Sequence, residues 1–258
     1  MLDGALVRLA VAATAPFGAD VLERLAARHD VAYLLTRPDR PKGRGRRLGP
    51  PPAKETAERL GIEVRQPERL EDFDPEEATV VLAAYGALIP EPVLDRALWL
   101  NVHPSLLPRW RGAAPIERAL MAGDAETGTT IIKLVPELDA GPIAAQSAFA
   151  VGEEDDYASI AARTAELGVE LLDGVLPEPA FMPQPSEGVT YAERRSGRTT
   201  ACSTGAARRR SSSTASVPSR RTSARAPSCT GGRSRSGARA SRKGSSCRSR
   251  CSRTGGGE

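Results

Sequence analysis

The chain has 258 residues and a formal net charge of +4, length enough for one large domain or two modest ones. That charge is unevenly spread: Ser196 to Glu258 holds 15 Lys and Arg and all four cysteines (Cys202, Cys229, Cys247, Cys251) against one acid, while the residues before it hold 21 basic against 31 acidic groups. A disulfide-stapled body is excluded. No apolar run approaches the ~20 residues of a membrane-spanning helix, and the opening MLDGALVRLAVAATAPFG has no basic stretch before its apolar one, so neither a membrane span nor a secretory leader is expected and the chain is read as cytoplasmic.

Leu6 to Ala13 is an apolar run that stops at Thr14, Pro16 and Gly18, the pattern of a buried parallel strand entering a turn. Val21, Leu22, Leu25 and Ala26 follow helical spacing and Val31 to Thr36 is the next strand, so the chain opens β-α-β with a right-handed crossover. His29, between helix and strand, is expected as a surface or capping residue. From Arg37 to Pro52 the sequence RPDRPKGRGRRLGPPP is dense in Pro, Gly and Arg, which predicts a long basic loop without regular structure. Its Arg40, Lys42, Arg44, Arg46 and Arg47 suit a phosphate backbone; a solvated basic loop is the plainer reading, and composition leaves both open.

Ala53 to Leu60 reads as a helix, Ile62 to Val64 as a short strand, and Thr79 to Ala84 as a buried strand running into Tyr85 and Gly86. Leu98 to Val102 is another apolar strand. Thr129 to Val135 is a further one, ending near Leu138, Asp139, Ala140 and Gly141; Ile143 to Val151 pairs beside it, and Ile160 to Leu176 has helical periodicity. Strands alternating with helices predict an α/β fold with a Rossmann-like, mostly parallel sheet, which binds ligands beyond the carboxyl ends of its strands.

Chemistry is expected in NVHPSLLPRWRGAAPI, Asn101 to Ile116. Asn101 and His103 are separated by one residue, so on a strand both side chains leave the same face. Pro104 and Pro108 prevent the segment from continuing as a central strand or a helix and predict an ordered loop over that point. Pro115 suits the first turn of a helix carrying Ile116, Leu120 and Met121. Asp139 also follows a strand, so the sheet brings a carboxylate beside the imidazole. An amide to stabilise a developing oxyanion, an imidazole to take a proton and a carboxylate to orient it suit acyl-type transfer to an amine. Asn, His and Asp serve equally as turn and cap residues, so spacing alone leaves both readings open. No Ser or Cys sits in a G-x-S-x-G setting, and one useful His without cysteine makes no zinc site, so no metal is expected.

NVHPSLLPRWRGAAPIERAL, with GD, TG and LDAG after it and TRPDRPKGRG, PPPAKETA and AAYGALIP before it, closely resembles the methionyl-tRNA formyltransferases. The likeness runs from about Leu6 to Glu193. SLLP and Asn-x-His are shared with the wider folate-dependent formyltransferases, whereas PRWRGAAPI and PDRPKGRG are more typical of the tRNA enzymes. The resemblance implies a formyltransferase catalytic domain over residues 1–190. That domain would pass a formyl group from the co-substrate 10-formyltetrahydrofolate to the amino group of initiator methionyl-tRNA, as a monomer. It implies Asn101, His103 and Asp139 as the catalytic trio; Ser105, Leu106, Leu107 and Pro108, with Tyr85 and Gly86, as folate contacts; and Arg40, Lys42, Arg44, Arg46 and Arg47 as tRNA contacts. Ala13, Leu98 and Glu137 stand where the family usually has glycine; none removes a reacting group, and each adds a Cβ where backbone geometry is exacting. Two other functions are kept in view. A formyltransferase of a small amine or sugar nucleotide has no need of the basic loop, and a non-enzymatic RNA-binding protein would use the Arg-rich tail.

Residues 191–258 depart from the family, which has a C-terminal β-barrel after a signal matched by Thr190, Tyr191, Ala192 and Glu193. From Ser196 onward the only apolar residues besides Ala and Cys are Val217 and two prolines, so a disordered Arg/Ser-rich tail is expected there. Read from the third base of GC-rich codons, Gly197 to Gly205 yields Ala-Asp-Asp-Arg-Val-Leu-Asp-Trp. Arg210 to Val217 and Arg225 to Gly232 yield family-like segments in the same shifted frame. The tail is therefore read as a frameshift product standing in place of a tRNA-binding domain.

Overall fold

The structure, a computed structural model, describes residues 6–42 and 47–193; the expectations for Arg44, Arg46 and the tail lie outside those residues. Seven strands form one sheet in the order β5-β2-β1-β6-β7-β8-β9. They are β1 (Arg8–Ala13), β2 (Asp30–Leu35), β5 (Glu63–Arg65), β6 (Thr79–Ala83), β7 (Leu98–His103), β8 (Glu126–Lys133) and β9 (Ile143–Ala150). The first five run parallel to one another. β8 runs antiparallel to β7 and β9 antiparallel to β8, with α4 (Pro115–Ala122) between β7 and β8 in the chain. The sheet is thus mostly parallel, as its alternating pattern predicts.

Strand pleating explains the unbroken apolar runs. On β1, Leu9, Val11 and Ala13 face a layer formed by α1 (Pro16–Ala26), α2 (Pro52–Leu60) and α5 (Tyr157–Val175), while Ala10 and Ala12 face Tyr33, Phe73, Val93 of α3 (Glu91–Leu94) and Trp99 on the other side. A strand covered on both faces has no polar face to display. Each fully buried Leu or Val is worth about 1.5–3 kcal/mol, whereas an exposed pair such as Arg8 with Asp30 is largely screened by solvent. Core burial therefore dominates the stability of the sheet. The alternation on β7 sends Leu100 and Val102 into the first layer and leaves Trp99, Asn101 and His103 on the other.

The three positions where family glycines are replaced are absorbed without backbone strain, for none of Ala13, Leu98 or Glu137 takes a positive φ. Ala13 fits because Gly18 lies opposite it: a Cβ on Gly18 would fall 2.8 Å from the Cβ of Ala13.

Two expectations are corrected. The Pro-, Gly- and Arg-rich stretch is not devoid of regular structure, since β3 (Arg40–Lys42) and β4 (Arg47–Gly49) pair as an antiparallel ribbon with Pro41 opposite Leu48. A two-stranded ribbon has only edge strands, the one setting where proline fits a ladder. Its base is tied down by Lys54 Nζ on Asp39 and by Gln66 Nε2 on the Arg37 carbonyl, at 2.9 and 2.7 Å. His29, in turn, is buried rather than at the surface, with Nε2 3.0 Å from Asp173 Oδ1. The partner lies 144 residues away on α5, beyond the reach of local pattern.

Candidate active site

From β1 the chain passes to β2 and β5 on one side, then crosses back from β5 to β6 on the other side of β1. Such a switch point opens a crevice at the carboxyl ends of the strands. A cavity of about 540 Å³ lies there, bounded by Thr14 and Ala15 after β1, Tyr85 and Gly86 after β6, and Asn101 and His103 at the end of β7. Leu88, Ile89, Leu94, Leu134, Val135 and Leu138 supply apolar walls, and Asp139 closes one side.

Asp139 brings the trio together. It takes φ +46, a left-handed conformation uncommon outside glycine, and both its oxygens are engaged. Oδ1 accepts from Asn101 Nδ2 at 3.1 Å and Oδ2 from the Gly112 backbone N–H at 2.8 Å. Gly112 delivers that N–H from φ +112, a conformation that suits glycine. His103 Nε2 lies 2.9 Å from the Trp110 carbonyl; a carbonyl only accepts, so Nε2 carries the proton of that bond. The other ring nitrogen, Nδ1, is 3.7 Å from Asp139 Oδ2, beyond hydrogen-bond length. The imidazole is thus oriented by Trp110, while the carboxylate faces it as a charge.

Trp110 is itself braced. Its indole N–H and the Arg109 guanidinium both donate to Asp124, at 2.7 Å and at 2.6 and 2.9 Å, and the guanidinium stacks on the indole at 4.4 Å. The hydrogen bond from Arg109, then that from Trp110, hold the Asp124 carboxyl below the usual carboxylate range.

The expected folate contacts divide. Tyr85 and Gly86 line the cavity, and burial raises the Tyr85 hydroxyl above its ordinary value, opposed by the nearby Arg37 charge. Arg37 Nη1 donates to the Gly86 carbonyl at 2.9 Å. None of Ser105, Leu106, Leu107 and Pro108 lines the cavity. Ser105 Oγ donates to the Arg109 carbonyl at 2.7 Å, and Thr130 Oγ1 takes the Leu107 N–H at 3.1 Å and donates to the Ser105 carbonyl at 2.6 Å. This segment shapes the loop behind the trio. Arg40 is exposed on β3; Lys42 and Arg47 belong to the ribbon, and their side chains lie outside the description. Sequence reading missed Gly112, Trp110 and the apolar wall. Trp-x-Gly inside PRWRG and the apolar residues just after β6 were the signals available. Among the described residues there is no group of three His, Cys, Asp or Glu placed to hold a metal, and no helix long and apolar enough to cross a membrane.

Residues 7–176 match the family described as formyl transferase. Over 201 residues the chain is 46% identical to the methionyl-tRNA formyltransferase of Paracoccus denitrificans, covering 73% of this chain and 67% of that protein. It is 46% identical to the methionyl-tRNA formyltransferase of Dechloromonas aromatica over 73% of this chain and 65% of that protein. The chain thus spans about two thirds of the length of the curated relatives it matches. Among solved structures it is similar to phosphoribosylglycinamide formyltransferase from Bacillus halodurans, 27% identical with a TM-score of 0.52 over 67% of this chain and 96% of that one. A 4-N formyltransferase from Francisella tularensis shares the fold at 17% identity and a TM-score of 0.55, over 72% and 75% of the two chains. With its sheet, its switch-point cavity and this extent of match, the chain belongs to the formyl transferase family.

Proposed function

We propose that the chain carries the catalytic domain of a methionyl-tRNA formyltransferase, moving a formyl group from 10-formyltetrahydrofolate to the α-amino group of methionyl-tRNA in translation initiation. The observation that carries this reading is the meeting of Asn101, His103 and Asp139 at a cavity of about 540 Å³ with apolar walls. The tRNA acceptor is favoured by the relatives at 46% identity that bear this name and by the basic ribbon. The reading places the enzyme in the cytoplasm, with initiator methionyl-tRNA and the folate as partners.

A slot of this size, with Leu88, Ile89, Leu94 and Val135 as walls and polar groups at one end, fits a flat heteroaromatic ring; when bound, the folate supplies the formyl group. Asn101 Nδ2 carries two hydrogens, one directed to Asp139, and the second is a donor for the formyl oxygen as negative charge develops there. As the new amide bond forms, the bond between the formyl carbon and the folate nitrogen breaks, the departing nitrogen takes up a proton, and the proton of the amine is released. With Nε2 committed to Trp110, His103 Nδ1 is the basic nitrogen that takes it. The imidazolium so formed faces the Asp139 carboxylate across 3.7 Å, an attraction of about 1–4 kcal/mol between bulk-water and surface-protein screening. Asp139 thereby favours the charged intermediate state of the base.

The deciding experiment offers the purified chain formyl-labelled 10-formyltetrahydrofolate with methionyl-tRNA, free methionine or glycinamide ribonucleotide. Transfer to methionyl-tRNA above the other two supports the proposal. Transfer to a small amine alone would replace it with the small-substrate reading.

A further inference from the structure

The family match ends at residue 176, yet the segment after it reaches the trio. Gln184 Nε2 donates to the Asp139 carbonyl at 2.8 Å and to the Gly141 carbonyl at 2.7 Å. Its Oε1 accepts from Arg111 Nε at 3.1 Å and Nη2 at 2.6 Å. A primary amide has two N–H bonds and two lone pairs, so this one side chain is fully used in joining two loops. One carries the Asp139 carboxylate; the other carries Gly112, whose N–H holds Asp139 Oδ2. Six to eight residues on, the same segment runs along the second loop. Thr190 Oγ1 accepts from the Trp110 N–H at 2.9 Å, and Arg111 exchanges backbone bonds with Thr190 and Ala192 at 2.9 and 2.7 Å. Trp110 is the residue whose carbonyl takes His103 Nε2.

We propose that Gln184 is a positioning residue for formyl transfer, clamping the Asp139 loop to the Arg111–Gly112 loop so that the carboxylate stays between Asn101 and His103. The inference rests on the function proposed above, in which that trio carries the chemistry. Only an amide fills the role, because it must donate to two carbonyls while accepting from a guanidinium. A glutamate at 184 keeps the size and the Arg111 pairing but sets a carboxylate against both carbonyls. An alanine removes all four bonds.

The test uses the full chain and its Gln184→Ala and Gln184→Glu variants. The sequence has two histidines, so ¹⁵N signals of the imidazole nitrogens report the site through His103 and the fold through His29. In both variants the His103 signals should move while those of His29 stay. In turnover with 10-formyltetrahydrofolate and methionyl-tRNA, kcat should fall about 10- to 100-fold with little change in KM for the folate, the effect of a misplaced group rather than of lost binding. If the alanine variant loses its fold, seen as moved His29 signals, the isosteric glutamate variant decides. Unmoved His103 signals in a folded variant, or a loss confined to KM, would overturn the proposal. The NMR readout needs no turnover, so a chain that does not formylate methionyl-tRNA sinks the proposed function and still leaves the Gln184 result readable.

Discussion

Asn101 Nδ2 donates to Asp139 Oδ1 across 3.1 Å although 38 residues separate the two, and both are buried, 6% and 9% exposed. A hydrogen bond to a charged group is worth about 1.5–3 kcal/mol, enough to hold the β8–β9 loop against the end of β7. Asp139→Asn removes the charge that faces His103, and His103→Ala removes the base. Either should cut formylation by roughly 10²-fold or more with folate binding little changed, as steady-state turnover and titration of a folate analogue would record. Near-normal turnover in either variant would remove the trio from the mechanism. Asn101→Asp sets two buried carboxylates side by side, which cannot both ionise, and should lose activity and thermal stability together at neutral pH.

The fold was largely legible because its central strands are buried on both faces: the apolar runs at β1, β2 and β6 begin and end within two residues of the strands observed. Asn101 and His103 were legible for the same reason, since the two-residue period fixes a shared face. What escaped was set by distant partners. The hydrogen bonding of His103 depends on Trp110, whose φ of +63 no pattern of residue types announces, and Gln184 meets Asp139 from 45 residues away. The ribbon at Arg40 escaped because a proline-rich stretch satisfies ladder geometry only at an edge, a property of the partner strand rather than of the stretch itself.

Asp124 gives a pH dependence with a defined sign. Its carboxyl is held low chiefly by the hydrogen bond from Arg109, and a group depressed on folding contributes stability that is present above its unfolded value of about 4 and lost as pH falls through the folded one. The Arg109 side chain is 44% exposed, so solvent screens much of the effect. Asp124→Asn should flatten the acid limb of stability against pH below about pH 4, measured as urea midpoints. An acid limb identical to that of the parent would show that the clamp contributes nothing there.

The basic stretch from Arg37 to Pro52 should govern tRNA affinity through released counterions. Replacing Arg44, Arg46 and Arg47 with Ala should raise KM for methionyl-tRNA and lower the slope of log affinity against log salt by about 2 to 3, at roughly 0.7–0.9 per lost phosphate contact. An unchanged slope would place the tRNA elsewhere on the protein.

The change of composition after Arg195 is checked at the level of nucleotides. If Ser196 onward arises from a shifted frame, the codons for Gly197 to Gly205, read from the third base, should spell Ala-Asp-Asp-Arg-Val-Leu-Asp-Trp. A gene restored to that frame should give a protein that selects initiator methionyl-tRNA, whereas binding by the present chain should be salt-sensitive and indiscriminate. Codons that cannot yield the alternative residues would rule the shift out.

Two glycines on α5 make opposite predictions for one substitution. Exchange of Gly for Ala inside a helix gains up to about 1 kcal/mol in propensity. At Gly174 nothing lies within 4 Å of the added Cβ, so Gly174→Ala should keep that gain. At Gly168 the Cβ would fall 2.5 Å from Val102 Cγ1 and 3.2 Å from Thr129 Cγ2. Overpacking of this kind costs about 1–3 kcal/mol, which outweighs the propensity term. Val102 sits on β7 between Asn101 and His103, with its side chain on the opposite face, so the pressure is transmitted to the strand that carries both. Gly168→Ala should therefore lower Tm by a few degrees, on the scale of about 2–4 °C per kcal/mol for a domain of this size, and reduce kcat as well. Gly174→Ala should raise Tm and leave kcat alone. Thermal denaturation and turnover on the two variants would check both, and shifts of the same sign would show that α5 does not bear on the catalytic strand as tightly as its geometry indicates.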